Sequence, residues 1–576
     1  MVTPNTLEVQ YGPDAKSSST LERHAATHGS HQIEFDLMPR ETGPTSPQER
    51  PISTPVASTQ ILNNNAEVHD RKGGLDDQTS RLPFRRLMSA YLCLAAIYFI
   101  STLDNNSVAT ALPTISRSLN AGNSITWTGT AYLMGQTAFQ ALYGRLSDIF
   151  GRKPVLLVSI GYLIVGDVLC GFAKSITWLY ACRALSGVGG GGISSLVQIT
   201  VSDLVSLKDR GKYQGMLSGA IGLGAGTGPF LAAALVDGGK DNDDSWWWIF
   251  WVPPILAAAC LVAMWLLLPL KPVTGSRREK MAKIDWFGLC AAMIAVVFVL
   301  VPINSGDSIF PWHSALVISM LSIGGFFIVF GIIEKRVARI PMIPLHLFSQ
   351  TSTAVIYLQS ALYNCVCATL VLPLLVVQSL AGVVSGPIMS RLARYGPVLY
   401  FGMALWTLGA GLKILFSLDT SIPVYVIVLI IEGAGIGFVL HPALVALQAL
   451  SKPEDRAVAT STRNLMRMLG SVFGMASSTA IKYAATKASL PSSMPAELRS
   501  QVTDGTWQRG DPAFKEWKSD IISAEMHGIR IVFIMLAPLV GLCLLGCGFI
   551  PDTILKGDQK DDNRVREERR DDDGEA

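Results

Sequence analysis

From residue 88 to residue 550 the chain is a series of apolar runs separated by short polar loops. A helix rises 1.5 Å per residue, so about 20 apolar residues span the roughly 30 Å of a bilayer's hydrocarbon. A strand edge in lipid would leave its backbone groups unpaired, so such runs must be helices. They lie at roughly 88–112, 125–145, 154–173, 176–202, 211–235, 247–269, 284–304, 311–333, 351–369, 371–390, 396–416, 422–448, 459–485 and 529–550. These runs predict an all-α polytopic membrane protein with about 14 transmembrane helices. Composition agrees, with 49% hydrophobic and only 16% charged residues in 576, where a soluble chain carries about a quarter charged.

The polar remainder is at the ends. Residues 1–87 are rich in Ser, Thr, Pro, Asn and His, have no signal-type apolar stretch, and read as a disordered tail. Residues 551–576 are a solvated charge run. Lys and Arg collect on alternate loops: Arg81, Arg85 and Arg86; Arg145, Arg152 and Lys153; Lys208, Arg210 and Lys212; Arg277 to Lys283; Lys335 to Arg339; Arg391 and Arg394; Lys452 and Arg456. The intervening short loops hold only Arg117, Lys174 and Lys240. This asymmetry predicts that both termini and the loop after the second run are cytoplasmic. A net charge of +3 with no basic patch among aromatics argues against a nucleic-acid partner. The nine cysteines fall mostly inside apolar runs, and Cys365 and Cys367 have no second pair or nearby His, so packing is expected rather than metal binding or disulfides.

Weak internal repetition follows. Gly144 and Arg152, eight positions apart, are matched by Gly386 and Arg394, and "PVLL" at 154–157 is echoed by "PVLY" at 397–400. Two halves in parallel repeat are a transporter feature.

Five stretches carry a specific resemblance. "GRLSDIFGRKP" at 144–154 resembles the loop 2–3 signature of the major facilitator superfamily. "LDNNSVATALPTIS" at 103–116 resembles the first-span signature of its fourteen-span drug:proton antiporter branch. "RALSGVGGGG" at 183–192 is similar to the fourth-span signature, and "GLGAGTGPFLAA" at 222–233 to the antiporter signature of span 5, with Ala232 and Ala233 in place of its last two glycines. "WWWIFWVPP" at 246–254 is also like that branch, although Trp247 stands where it usually has Arg. The nearest pattern is that of fungal multidrug and secondary-metabolite exporters.

This resemblance implies a major facilitator fold. A six-helix bundle would occupy 88–269, two additional central spans 270–350, and a C-terminal bundle 351–550. It implies proton-coupled export of drugs, toxins or secondary metabolites by alternating access, and no enzyme activity. The partners would be a small-molecule substrate, protons and the lipid bilayer. No cofactor is expected beyond the proton gradient, and the protein would be a monomer. The plasma membrane is the expected address and the vacuolar membrane the alternative.

The residues have physical readings beside the family ones. Gly151 suits a turn that a Cβ resists. Asp148 and Arg152 are the expected cytoplasmic gate with Gly144, and Arg152 can pair with Asp203 near the end of the fourth run. Arg145 and Lys153 are read as charges that only set topology. Arg183, inside the fourth run, needs a partner there. Asp104, within the first run beside Asn105 and Asn106, is a candidate proton carrier, and the resemblance implies a part for Arg183 in proton coupling. Gly224, Gly228 and Pro229 favour close, bent packing of span 5. Asp167 and Glu432 depart from the family pattern and are candidate extra proton or cation sites, whereas His441 is read as packing. The two acids would also suit an alternative cargo, basic amino acids or a siderophore, for uptake or vacuolar storage.

One stretch is crowded. Between Thr351 and Ser390 no charged residue occurs, yet two crossings there leave almost no residues for a turn. Either the hairpin is unusually tight, or about 20 residues of the ninth span and its outer turn are missing. No motif of a membrane enzyme appears, and the N-terminal tail lacks the apolar periodicity of a structured receptor domain.

Overall fold

The computed structural model describes residues 83–555, except 120, 238–244, 271–272, 274–275, 283, 306–311, 335–345, 368–371 and 504–514. The expected tails, the acidic loop 237–245 and several loop cations fall largely outside the described residues.

The described chain is helical. α1 is Phe84–Ser118, α2 Trp127–Phe150, α3 Arg152–Gly171, α4 Ile176–Leu204, α5 Leu207–Asp237 and α6 Trp248–Leu267. α7 is Trp286–Ser305 and α8 Ala315–Glu334. α9 is Thr351–Cys367, α10 Leu372–Leu392, α11 Gly396–Lys413, α12 Ile422–Leu450, α13 Arg456–Ser489 and α14 Lys518–Gly546. A long helix thus stands at each of the fourteen apolar runs. Ten of them are long and apolar enough to cross a membrane by themselves, which makes the chain a multi-pass membrane protein. The other four, α2, α9, α11 and α13, carry more polar residues or are shorter.

Local chemistry sets the breaks. Gly151 has φ of +100° and separates α2 from α3 in a conformation that L side chains rarely adopt. Ser175 caps α4 by accepting from Trp178 N–H at 3.3 Å. Lys153 donates to the carbonyls of Trp265 and Leu268 at 2.8 and 2.9 Å. It therefore caps the open C-terminal end of α6, beyond the topological role read in the sequence.

Packing divides the helices into two sets. α1 lies on α5 and α6, α2 on α4, and α3 on α4 and α6. α9 lies on α13 and α14, α10 on α12, and α11 on α12 and α14. α7 and α8 pack on each other, and α7 also touches α2 and α13. The sets meet along two seams, α5 with α10 and α2 with α13. Each has its own buried core, one including Leu94, Leu156, Leu163 and Leu196, the other Trp406, Met403, Val439 and Leu447.

In the crowded stretch, α9 has 17 residues and α10 has 21. A 17-residue helix is about 25 Å long, short of a full hydrocarbon crossing. The first of the two helices is thus short, and the link between them, residues 368–371, lies outside the described residues.

Candidate functional site

Three groups of buried charge stand out. The first joins α1, α3 and α4. Arg183 Nη1 lies 3.1 Å from both carboxylate oxygens of Asp104 and 3.5 Å from Asp167 Oδ1. All three side chains are fully buried. Ser186 donates to Asp167 Oδ1 at 2.6 Å, and the Arg183 guanidinium sits 4.5 Å from the Tyr132 ring centroid. Two carboxylates thus share one cation, and the other Asp167 oxygen has no hydrogen-bond partner. Asp104, Asp167 and Arg183, singled out separately in the sequence, form one cluster.

α5 presses on this cluster. A Cβ on Gly224 would stand 2.6 Å from the Phe99 carbonyl, and one on Gly228 3.0 Å from Leu103 O and Ser107 N. Those are the backbone atoms of the α1 turns around Asp104. The small residues of the span-5 motif therefore let α5 lie against the carboxylate-bearing helix, and Pro229 follows within the same helix.

The second group lies in the other set. Glu432 on α12, fully buried, pairs with Lys413 at the end of α11 at 2.8 Å. Lys413 Nζ also lies 4.9 Å from the Phe533 ring centroid. Glu432 therefore has a cation of the chain's own, which the sequence reading did not identify.

The third group closes one end of the molecule. Arg152 Nη1 meets Asp148 Oδ1 at 2.6 Å and Arg152 Nε meets Asp203 Oδ2 at 2.8 Å. Asp148, Arg152 and Asp203 thus clamp α2, α3 and α4 together inside one helix set. The bridge between the sets is Arg145, whose Nη2 lies 3.5 Å from Asp455 Oδ1. Asp455 in turn holds His346 Nε2 at 2.9 Å. Arg145, read in the sequence as a charge that only sets topology, is only 5% exposed.

Gly144 sits beside this bridge, where a Cβ would come within 2.9 Å of Ala457 O and 3.0 Å of Val458 Cα on α13. Its repeat partner Gly386 makes the reciprocal contact, with Gly211 O 2.4 Å from a Cβ placed there. The weak sequence repeat thus marks the two seams. It extends to backbone shape: Ala393, at the position equivalent to Gly151, also has positive φ, 49°. Further along the seams Ser202 donates to Gln448 at 3.0 Å, Asn464 donates to Gln198 at 3.3 Å, and Ser218 pairs with His441. His441, expected only to pack, is a seam residue.

Ion clusters buried in a multi-helix apolar body, with two packed sets meeting at glycine seams, are the build of a membrane transporter. The Major Facilitator Superfamily profile matches residues 94–475, two thirds of the chain, and the chain belongs to that family. Among its relatives are Citrate exporter 1 of Yarrowia lipolytica, 37% identical over 93% of this chain and 82% of that protein. MFS-type transporter clz4 of Cochliobolus lunatus is 33% identical over 82% of this chain and 87% of that protein. Efflux pump dotC of Dothistroma septosporum is 30% identical over 70% of this chain and 72% of that protein. Among solved structures, the proton:xylose symporter XylE with bound 6-bromo-6-deoxy-D-glucose aligns with a TM-score of 0.50 at 13% identity, over 82% of this chain and 98% of that one. That is a likeness of fold. The protein is accordingly a transporter of small molecules and not an enzyme.

Proposed function

We propose that this protein exports small organic molecules in exchange for protons, by alternating access between its two helix sets. The observation that carries the reading is the cluster of Asp104, Asp167 and Arg183, two carboxylates for one cation, fully buried against α5. With both acids ionised the cluster has a net charge of −1, which the apolar interior disfavours. A proton on either acid neutralises it and leaves Arg183 to the other. Because α1 carries Asp104 against α5, and α5 forms a seam with α10, repairing the cluster can move a helix that the opposite set feels. Proton binding then biases the balance between access states.

The Arg145 end is the cytoplasmic one in this reading, as the loop cations require. The closed Arg145–Asp455 bridge then belongs to a state shut towards the cytoplasm, and the Asp148–Arg152–Asp203 clamp keeps α2 rigid beneath it. The plasma membrane fits an export role.

Asp167 and Glu432 each have a cation of the chain's own, which weakens the case for a basic amino acid or siderophore as cargo. A relative named as a citrate exporter, aligned over most of both chains, favours a small organic acid instead. The test uses the full chain in proteoliposomes with an imposed pH gradient and a panel of organic acids, drugs and basic amino acids. Gradient-driven flux that disappears in Asp104→Asn and Arg183→Ala is the expected result. Gradient-independent flux, equal in wild type and both variants, would refute the coupling role.

A further inference from the structure

Two guanidinium groups lie at the seam with no carboxylate partner among the described residues. Arg463 and Arg467 are one turn apart on α13, so they share a face, and each lies in the other's field. Arg463 is 1% exposed. Its Nη2 donates to Tyr363 OH at 2.9 Å and to the Leu440 carbonyl at 2.7 Å, while its Nε is buried without a partner. The Arg467 guanidinium forms no hydrogen bond or ion pair among the described residues, and its Nε too is buried and unsatisfied. Two like charges this close repel each other; Arg463 is buried, and Arg467 is half-buried with only its Nε fully enclosed. Elsewhere in this interior the cations Arg183 and Lys413 have carboxylates; these two do not.

The surroundings are built from both helix sets. Asn464, between the two arginines, donates to Ser195 Oγ at 3.4 Å and to Gln198 Oε1 at 3.3 Å on α4, and its own Oδ1 is left unsatisfied. Gln198 donates to Tyr98 OH on α1 at 3.1 Å. The Tyr98 ring lies in the field of both arginines. The C-terminal set thus supplies charge, and the N-terminal set supplies hydroxyl and amide groups that both donate and accept. Next along α13, Met468 and Ser471 line a small cavity with Thr137 and Asn304.

Guanidinium forks match carboxylates in a bidentate geometry that an ammonium cannot reproduce. We infer that Arg463 and Arg467 form the substrate site, and that the substrate is a small polycarboxylate anion. Its carboxylates sit on the two arginines and its hydroxyl group is read by Asn464, Gln198 and Tyr98. This rests on the exporter reading and narrows it. The anion would bridge α13 to α1 and α4, so cargo itself helps to close the seam. α1 carries both Tyr98 and Asp104, less than two turns apart, which links cargo binding to the proton cluster.

The test measures counterflow of labelled citrate into proteoliposomes loaded with unlabelled citrate, using the full chain. Wild type should show counterflow that malate competes away, succinate, lacking the hydroxyl, less so, and a neutral sugar not at all. Arg463→Gln and Arg467→Gln should each lower it at least 10-fold, and Arg467→Lys should retain more than Arg467→Gln. Because either variant could misfold, citrate-dependent thermal stabilisation of the wild type is measured alongside, with sulfate as the control for a generic anion. Stabilisation by citrate and not by sulfate supports the site. Flux of a drug that citrate does not inhibit, with no citrate counterflow, overturns the site and leaves the exporter reading standing. Absence of flux for every probe, with citrate still stabilising the wild type, keeps the site and removes the exporter reading.

Discussion

At the residue scale, the chain places full charges where water is absent and supplies most of them with partners. Glu432 and Lys413 are the clearest pair, at 2.8 Å with Glu432 fully buried. Removing one member of such a pair leaves the other charged and unsolvated, at a cost of about 3–5 kcal/mol. Glu432→Gln should therefore lower the thermal midpoint of purified protein markedly, while Glu432→Leu combined with Lys413→Met should recover most of the loss. A single variant as stable as wild type would dismiss the pair as a structural element. Glu432 could be seen in the sequence as an acid in an apolar run, but its partner could not. Lys413 is 19 positions earlier, near the end of another run, and nothing in the pattern indicates which face of α11 meets α12. The same is true of Asp104 and Arg183, 79 positions apart.

At the element scale, glycines decide how closely helices meet. The α5 face made by Gly211, Gly215, Gly219 and Gly222 lies against α10, with Gly222 against Ser379. One turn later Gly226 faces open space. A side chain at Gly226 should then be harmless, and Gly226→Ala should match or slightly exceed wild-type stability, by about 0.5–1 kcal/mol at most. Gly144→Val and Gly386→Val should instead pry the seams apart, seen as faster maleimide labelling of a cysteine placed at Ser461. Equal labelling rates in the variants and their parent would show that the seams tolerate bulk. Ala393 holds positive φ without being glycine. Ala393→Gly should raise stability by about 1 kcal/mol in thermal unfolding, and a loss of stability there would contradict the observed backbone. The repeat of 144–152 in 386–394 was legible as letters. That both copies contain a left-handed turn and sit at reciprocal seams was not, because Gly386 could equally have faced its own set.

At the scale of the whole molecule, an ion pair between the sets, Arg145–Asp455, stands at the closed end among the described residues. Arg145→Ala or Asp455→Ala should favour opening there by about 1.4 kcal/mol, a tenfold change in the balance of states. Accessibility of seam cysteines to a membrane-impermeant reagent reads the shift, and unchanged accessibility in both single variants would show that the bridge is incidental. The sequence pointed to Asp148, Arg152 and Asp203 at this end, and the structure does bring them together. It also shows that their clamp lies within one helix set, whereas Arg145 carries the ion pair to the other set at this end.

The sequence by itself determined that the chain is helical, spans a membrane many times and belongs to a family of transporters. Those properties follow from run length, from loop charge and from local signatures, each of which acts over 10 to 20 neighbouring residues. Tertiary structure alone decided which charges are neutralised and which are not. It paired Glu432 with Lys413, gathered Asp104 and Asp167 on Arg183, and left Arg463 and Arg467 without an acid. The reason is physical: a buried charge is settled by whatever lies within a few ångströms of it, and those neighbours come from helices far apart in the chain.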